Sequence, residues 1–232
     1  MRQVCRRARV EAYLTEDQFT AGSEHPKRLA NILDPQPGHY SKAAERLNSA
    51  ETSAIVASGQ DLSDVHYNLI LQYLRSSGQP WRHFEYIPHP PGSLVLPPRA
   101  HQPYEFTLNS YSFSCHSSHP GNSGIQFKRP SDSIIFTGFI QAIWQIPLQG
   151  HIQTFFAVEI HKSLPASARI PFTSLPNFNT TVVDAQTSSI VYIIEPRHIL
   201  THLTMYKRPR GTYGLDRDVW AICWSLNRGR RS

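Results

Sequence analysis

Apolar and polar residues alternate most regularly between Ile134 and His161, in the stretch IIFTGFIQAIWQIPLQGHIQTFFAVEIH. Ile140, Ala142, Trp144 and Ile146 alternate with Gln141, Ile143 and Gln145, the period of two expected of a half-buried strand. Pro147-Leu148-Gln149-Gly150 interrupts the run, which then resumes. Ile152, Thr154, Phe156, Val158 and Ile160 fall on one side; Gln153, Phe155, Ala157, Glu159 and His161 fall on the other. Two such runs around a short Gly-containing loop predict a β-hairpin. In this register Trp144 and Phe156 share a buried face, and Gln141 and Gln153 share the opposite one. A lone hairpin is marginal in water, so further strands must flank it.

The flanking sequence supplies them. YEFTLNSYSFSC alternates Tyr104, Phe106 and Leu108, then Tyr111, Phe113 and Cys115, with a turn at Asn109-Ser110. IQF, TTVVDA and SIVYIIEP add further short strands separated by turn signals, a pattern of small barrels and sandwiches. Towards the N-terminus the period changes. Ser41 to Ser58 reads as a helix capped by Ser41 and closed by Gly59. Leu62, Val65, Leu69, Ile70 and Leu74 form the apolar stripe of a second helix, capped by Asp61 or Ser63 and ended at Gly78. Residues 80–103 hold seven prolines, which exclude helix and predict a largely extended linker. Trp81, Phe84 and Tyr86 pin its start, and Leu94-Val95-Leu96 is a candidate edge strand. After the strands, Pro196-Arg197-His198 opens a short helix, and Asp216 caps a last one carrying Val219, Trp220, Ile222, Cys223, Trp224 and Leu226. The expectation is an α+β fold. Residues 1–78 form a helical segment and 79–103 a Pro-rich linker. Residues 104–232 form a small, partly open antiparallel β-barrel-like domain with a C-terminal helix and basic tail.

Composition adds two points. The chain has 232 residues, enough for a core, and a net charge of +6. Arg2, Arg6, Arg7 and Arg9 crowd one end. Residues 197–232 set eight basic side chains against Asp216 and Asp218. Basic ends favour polyanions such as nucleic acid, and they also serve as solubilising or import tails. Cys5, Cys115 and Cys223 are far apart and odd in number, so no disulfide framework is indicated. There is no apolar run long enough for a membrane span and no secretory leader pattern, so a nuclear or cytoplasmic location is expected.

The succession FTGFIQAIWQIPL, TFFAVEIHKSLP, VYIIEPRHILTHLTMY and RGTYGLDRDVWAICWSLNRGRR resembles the C-terminal accessory region of open reading frames of Plavaka-like DNA transposons in mushroom-type fungal genomes. The resemblance covers roughly the last two thirds of the chain. It rests on ordered segments, not on a catalytic signature. It implies a transposon-derived accessory domain and does not imply transposase activity.

Motifs for catalysis are weak. Glu105, Asp132, Glu159, Asp184 and Glu195 are too few in the β-rich part for the carboxylate triad of a two-metal nuclease. Cys115, His116 and His119 offer three zinc-type ligands without a Cys-x-x-Cys partner, and the adjoining Pro120-Gly121-Asn122 turn explains them as well. His198 and His202 share a helix face in this reading, but Ile199 stands where a zincin needs glutamate. Trp81, Tyr104, Tyr111, Phe113 and Trp144 could build an aromatic cage for methylated lysine; their alternating positions favour core instead. No cofactor, metal or catalytic residue is assigned. The candidate binding residues are Lys207, Arg208, Arg210, Arg228, Arg230 and Arg231, expected as one positive patch. The function read from the sequence is a non-enzymatic accessory protein that binds nucleic acid or chromatin weakly and without sequence preference. The alternative is a protein-interaction module that tethers a transposase or other partner without touching DNA.

Overall fold

The computed structural model describes residues 47–108, 111–168, 170–174 and 179–225. Their framework is a seven-stranded antiparallel sheet in the order β8-β11-β10-β5-β6-β7-β9. The strands are β5 (Gly124–Lys128), β6 (Ile135–Leu148), β7 (His151–His161), β8 (Thr180–Asp184), β9 (Thr187–Ile194), β10 (Ile199–Arg208) and β11 (Val219–Ser225). Two-stranded ribbons accompany the sheet: β1 (Gln60–Asp61) with β2 (Arg99–Ala100), and β3 (Glu105–Leu108) with β4 (Tyr111–Ser114). Among the described residues two α-helices join the sheet in an α+β fold, α1 (Ser49–Ser58) and α2 (Asp64–Ser76).

The predicted central hairpin is β6–β7. Its turn is Gln149-Gly150, both at positive φ (52° and 81°), the backbone a tight two-residue hairpin demands. Its register differs from the simple alternation. A bulge between Ile140 and Ala142 moves the chain from one face to the other, and Trp144 sits opposite Phe155 while Ile143 sits opposite Phe156. Trp144 and Phe156 are both buried, but on opposite faces. The hairpin is apolar on both sides because both sides are covered. Under one face, Ala142, Trp144, Ile146, Leu148, Phe155 and Ala157 pack against α2 through Tyr67, Ile70, Leu71 and Leu74. Under the other, Ile140, Ile143, Phe156 and Val158 pack against the β3–β4 ribbon through Phe106 and Phe113.

The sheet curls. Trp220 on β11 and Phe139 on β6 are three strands apart, about 14 Å in a flat sheet, yet their rings lie 5.9 Å apart. The Asp184 amide at the end of β8 donates to Lys162 O just beyond β7, 3.0 Å away. The edge strands β8 and β9 are consecutive in sequence and diverge from the corner at Ala185-Gln186. The result is half a barrel.

Four sequence expectations need correction. α1 does not run unbroken from Ser41: Asn48 is extended and forms a capping box with Glu51, so the helix starts there, and residues 41–46 lie outside the described residues. Residues 80–103 are pinned along their length and not only at their start, where Tyr86 is exposed. Trp81, Leu96 and Ala100 are buried in the α2 core, Tyr67 donates its hydroxyl to Leu96 O at 2.8 Å, and Arg82 bridges Val95. Prolines exclude helix from this stretch; they do not stop it packing as a strap. Pro196–His198 is a single 3-10 turn, and Ile199 onward is strand β10. The predicted last helix is strand β11, held between β10 and β8. Its near-continuous apolar run suits a strand flanked on both edges as well as it suits a helix. Leu226, placed on that helix, lies outside the described residues.

Candidate functional site

The candidate basic residues fall on the β10–β11 hairpin. β10 pairs with β5 only over Ile199–His202 and then runs on to Arg208 against β11. Lys207 stands opposite Trp220, and Arg208 opposite Val219. The connection returns through Gly211, Tyr213 and Gly214, all at positive φ, which fixes a tight loop. Lys207, Arg208 and Arg210 are therefore brought together at one exposed end, joined by Arg217. Arg228, Arg230 and Arg231 lie outside the described residues.

Carboxylates share that end. Lys207 Nζ is 3.5 Å from Asp218, and Arg210 reaches Asp216 at 2.5 Å while its amide donates to Asp218 at 2.9 Å. Arg217 pairs with buried Asp184 at 2.8 Å. Burial opposes ionisation of Asp184, but the Gln186 amide and the Arg217 guanidinium hold its carboxyl below the usual carboxylate range. Asp184, Lys207, Asp216, Arg217 and Asp218 line an open cleft of about 520 Å³. The pairs of Lys207 and Arg210 are solvent-exposed, so each contributes about 0–1 kcal/mol and yields readily to a competing anion.

Arg208 is arranged differently. Its guanidinium lies 4.4 Å from the centroid of the Tyr206 ring, and Tyr206 is 61% exposed. Among the described residues no carboxylate lies within ion-pair distance of it. Thr204, Tyr206 and Arg208 alternate along one face of β10, opposite Cys223, Ala221 and Val219. Further back on that face His202 is buried against Phe113, 4.2 Å between ring centres, under the β3–β4 ribbon. The ribbon thus covers this face as far as His202, and the face emerges at Thr204. Reading a short helix from Pro196-Arg197-His198 onward hides the strand that carries Tyr206. The alternation in LTMYKR was the signal that could have found it.

The other candidates do not assemble. His198 and His202 share no helix face; the first sits in a 3-10 turn and the second on β10. Cys115 is buried, which raises its thiol pKa. His116 turns towards Ser123 Oγ at 3.0 Å, and His119 is exposed. Among the described residues no three His, Cys, Asp or Glu side chains come together as a metal-holding group. Glu159 accepts from Gln141 at 2.7 Å and from Thr187 at 2.5 Å, Asp132 pairs with Arg129, and Glu195 accepts from Tyr73 at 2.7 Å. The five aromatic residues weighed as a cage are dispersed: Trp81 and Trp144 on one side of the sheet, Phe113 and Tyr111 on the other, Tyr104 exposed.

A buried histidine that the sequence did not single out lies inside the curl. His161 is 7% exposed, its Nδ1 is 3.0 Å from Thr137 Oγ1, and its Nε2 has no hydrogen-bond partner among the described residues. Phe139 touches both His161 and His116, at 4.6 and 4.1 Å between ring centres. Burial, then the nearby His116, pushes the His161 pKa down to about 4, so the ring is neutral at pH 7.

Comparison of the chain with protein-family models, curated proteins and solved structures found no match.

Proposed function

We propose that the chain is a non-enzymatic, transposon-derived accessory protein whose β-rich body is a nucleic-acid or chromatin binding module acting through its basic ends. The observation that carries this reading is the exposed end of the β10–β11 hairpin, where Lys207, Arg208, Arg210 and Arg217 gather. A polyanion can displace the exposed carboxylate partners at small cost, and counterion release then makes binding salt-dependent and indifferent to sequence. Arg228, Arg230 and Arg231 follow β11 in the sequence and supply the basic C-terminal end of the chain.

The test is DNA binding across a salt series by the full chain and by the triple variant Arg228→Ser, Arg230→Ser, Arg231→Ser. The expected result is lower affinity and a shallower salt slope in the variant, with an unchanged melting curve. The alternative, a module that tethers a protein partner, draws on the ion pairs that already occupy Lys207 and Arg210. It takes first place if the parent binds no DNA at low salt.

A further inference from the structure

We infer that the nucleic acid this surface takes is single-stranded, held by a base stacked on the Tyr206–Arg208 pair. The inference rests on the nucleic-acid reading above and names its substrate class.

Charge alone does not favour a duplex here. Lys207, Arg208, Arg210 and Arg217 face Asp184, Asp216 and Asp218 at the same end, so the hairpin keeps little net positive charge for a regular row of duplex phosphates. What it does present is an exposed aromatic ring with a guanidinium stacked over one face, 4.4 Å from its centroid, that no carboxylate claims among the described residues. The surroundings are low. Thr204 precedes Tyr206 on the face, and across the ladder stand Ala221 and Cys223, both small. A flat base can therefore reach the Tyr206–Arg208 stack without meeting a bulky neighbour on β11. Bases in a duplex are stacked on each other and offer only their edges and phosphates. Bases in a single strand offer their faces, and an aromatic ring next to a basic group is the arrangement that holds them. Lys207 points to the other face of the strand and Arg210 lies beyond its end, so the adjoining phosphates have cations to either side of the stack.

The experiment measures binding of the full chain to a labelled oligothymidylate and to a duplex of equal length, at low salt. Variants Tyr206→Ala and Tyr206→Phe are compared with the parent, and melting curves check that each folds. The parent should prefer the single strand. Tyr206→Ala should lose about tenfold in single-strand affinity and little in duplex affinity, because one base–aromatic stack is removed. Tyr206→Phe should bind like the parent, since the hydroxyl takes no part. Equal affinity of the parent for both forms, with Tyr206→Ala unchanged, overturns the stacking inference and leaves the charge-driven reading standing. Absence of binding to either form overturns both.

Discussion

The β6–β7 and β10–β11 hairpins belong to one sheet and differ in almost everything else. β6–β7 is covered by α2 on one face and by the β3–β4 ribbon on the other, and it ends in a two-residue turn. β10–β11 extends past β5, ends in a ten-residue connection from Pro209 to Asp218, and carries its charges there. The first hairpin carries most of its side chains into the two cores. The second contributes less to the core and presents chemistry to solvent. In this protein the doubly covered core and the exposed basic side chains fall on different strand pairs.

That division predicts unequal responses to truncation. Phe156→Ala should cost about 3–5 kcal/mol, since Phe156 is fully buried between β7 and the β3–β4 ribbon. Tyr206→Ala, the same kind of truncation on the exposed hairpin, should change stability by no more than about 0.5 kcal/mol. Urea unfolding midpoints of the two variants give the contrast; equal losses would abolish it. Leu96→Ala should cost about 2–5 kcal/mol, because Leu96 is fully buried within the Pro-rich strap. A neutral result there would mean that the strap beyond its start adds nothing to the core.

The alternation between Ile134 and His161 was legible because a period of two over so many residues has no helical counterpart. Its face assignment was not, since a one-residue bulge at Gln141 leaves no mark in the hydrophobic pattern and still swaps the sides. β11 was read as a helix for a related reason. Both edges of β11 are paired and apolar residues fall at nearly every position, so the period vanishes. Ser63 as the cap of α2 was readable from its place before an amphipathic stripe, although Tyr67 and Leu71 complete that stripe while Val65 is exposed. Of the candidate site, the clustering of Lys207, Arg208 and Arg210 followed from sequence proximity. Their carboxylate partners depend on how the connecting loop folds back, and the role of Tyr206 depends on the strand assignment.

A smaller effect concerns pH. His161 has a pKa of about 4 in the folded chain against 6.5 when unperturbed. The unfolded chain therefore binds the extra proton first. The stability contributed by neutral His161 is fully present above pH 6.5, falls as pH drops towards 4, and amounts to about 3 kcal/mol across that window. Thermal melts from pH 7 to pH 4 should show the loss, and His161→Leu should flatten it. The same slope in parent and variant would assign the acid sensitivity elsewhere. Smaller again is Asn48→Ala, which removes the capping box of α1 and should cost about 1 kcal/mol by denaturant titration. No change would mean that the start of α1 is held by packing and not by its cap.

The most direct test of the binding role of β10–β11 is a salt titration of oligothymidylate affinity for the parent and for the variant Lys207→Gln, Arg208→Gln, Arg210→Gln. The account predicts measurable binding at low salt that falls linearly on a logarithmic plot, with the variant's slope smaller by roughly 1.4, the two phosphate contacts of Lys207 and Arg210 at roughly 0.7 each. Equal slopes for the two proteins, or no binding by the parent at low salt, would contradict it.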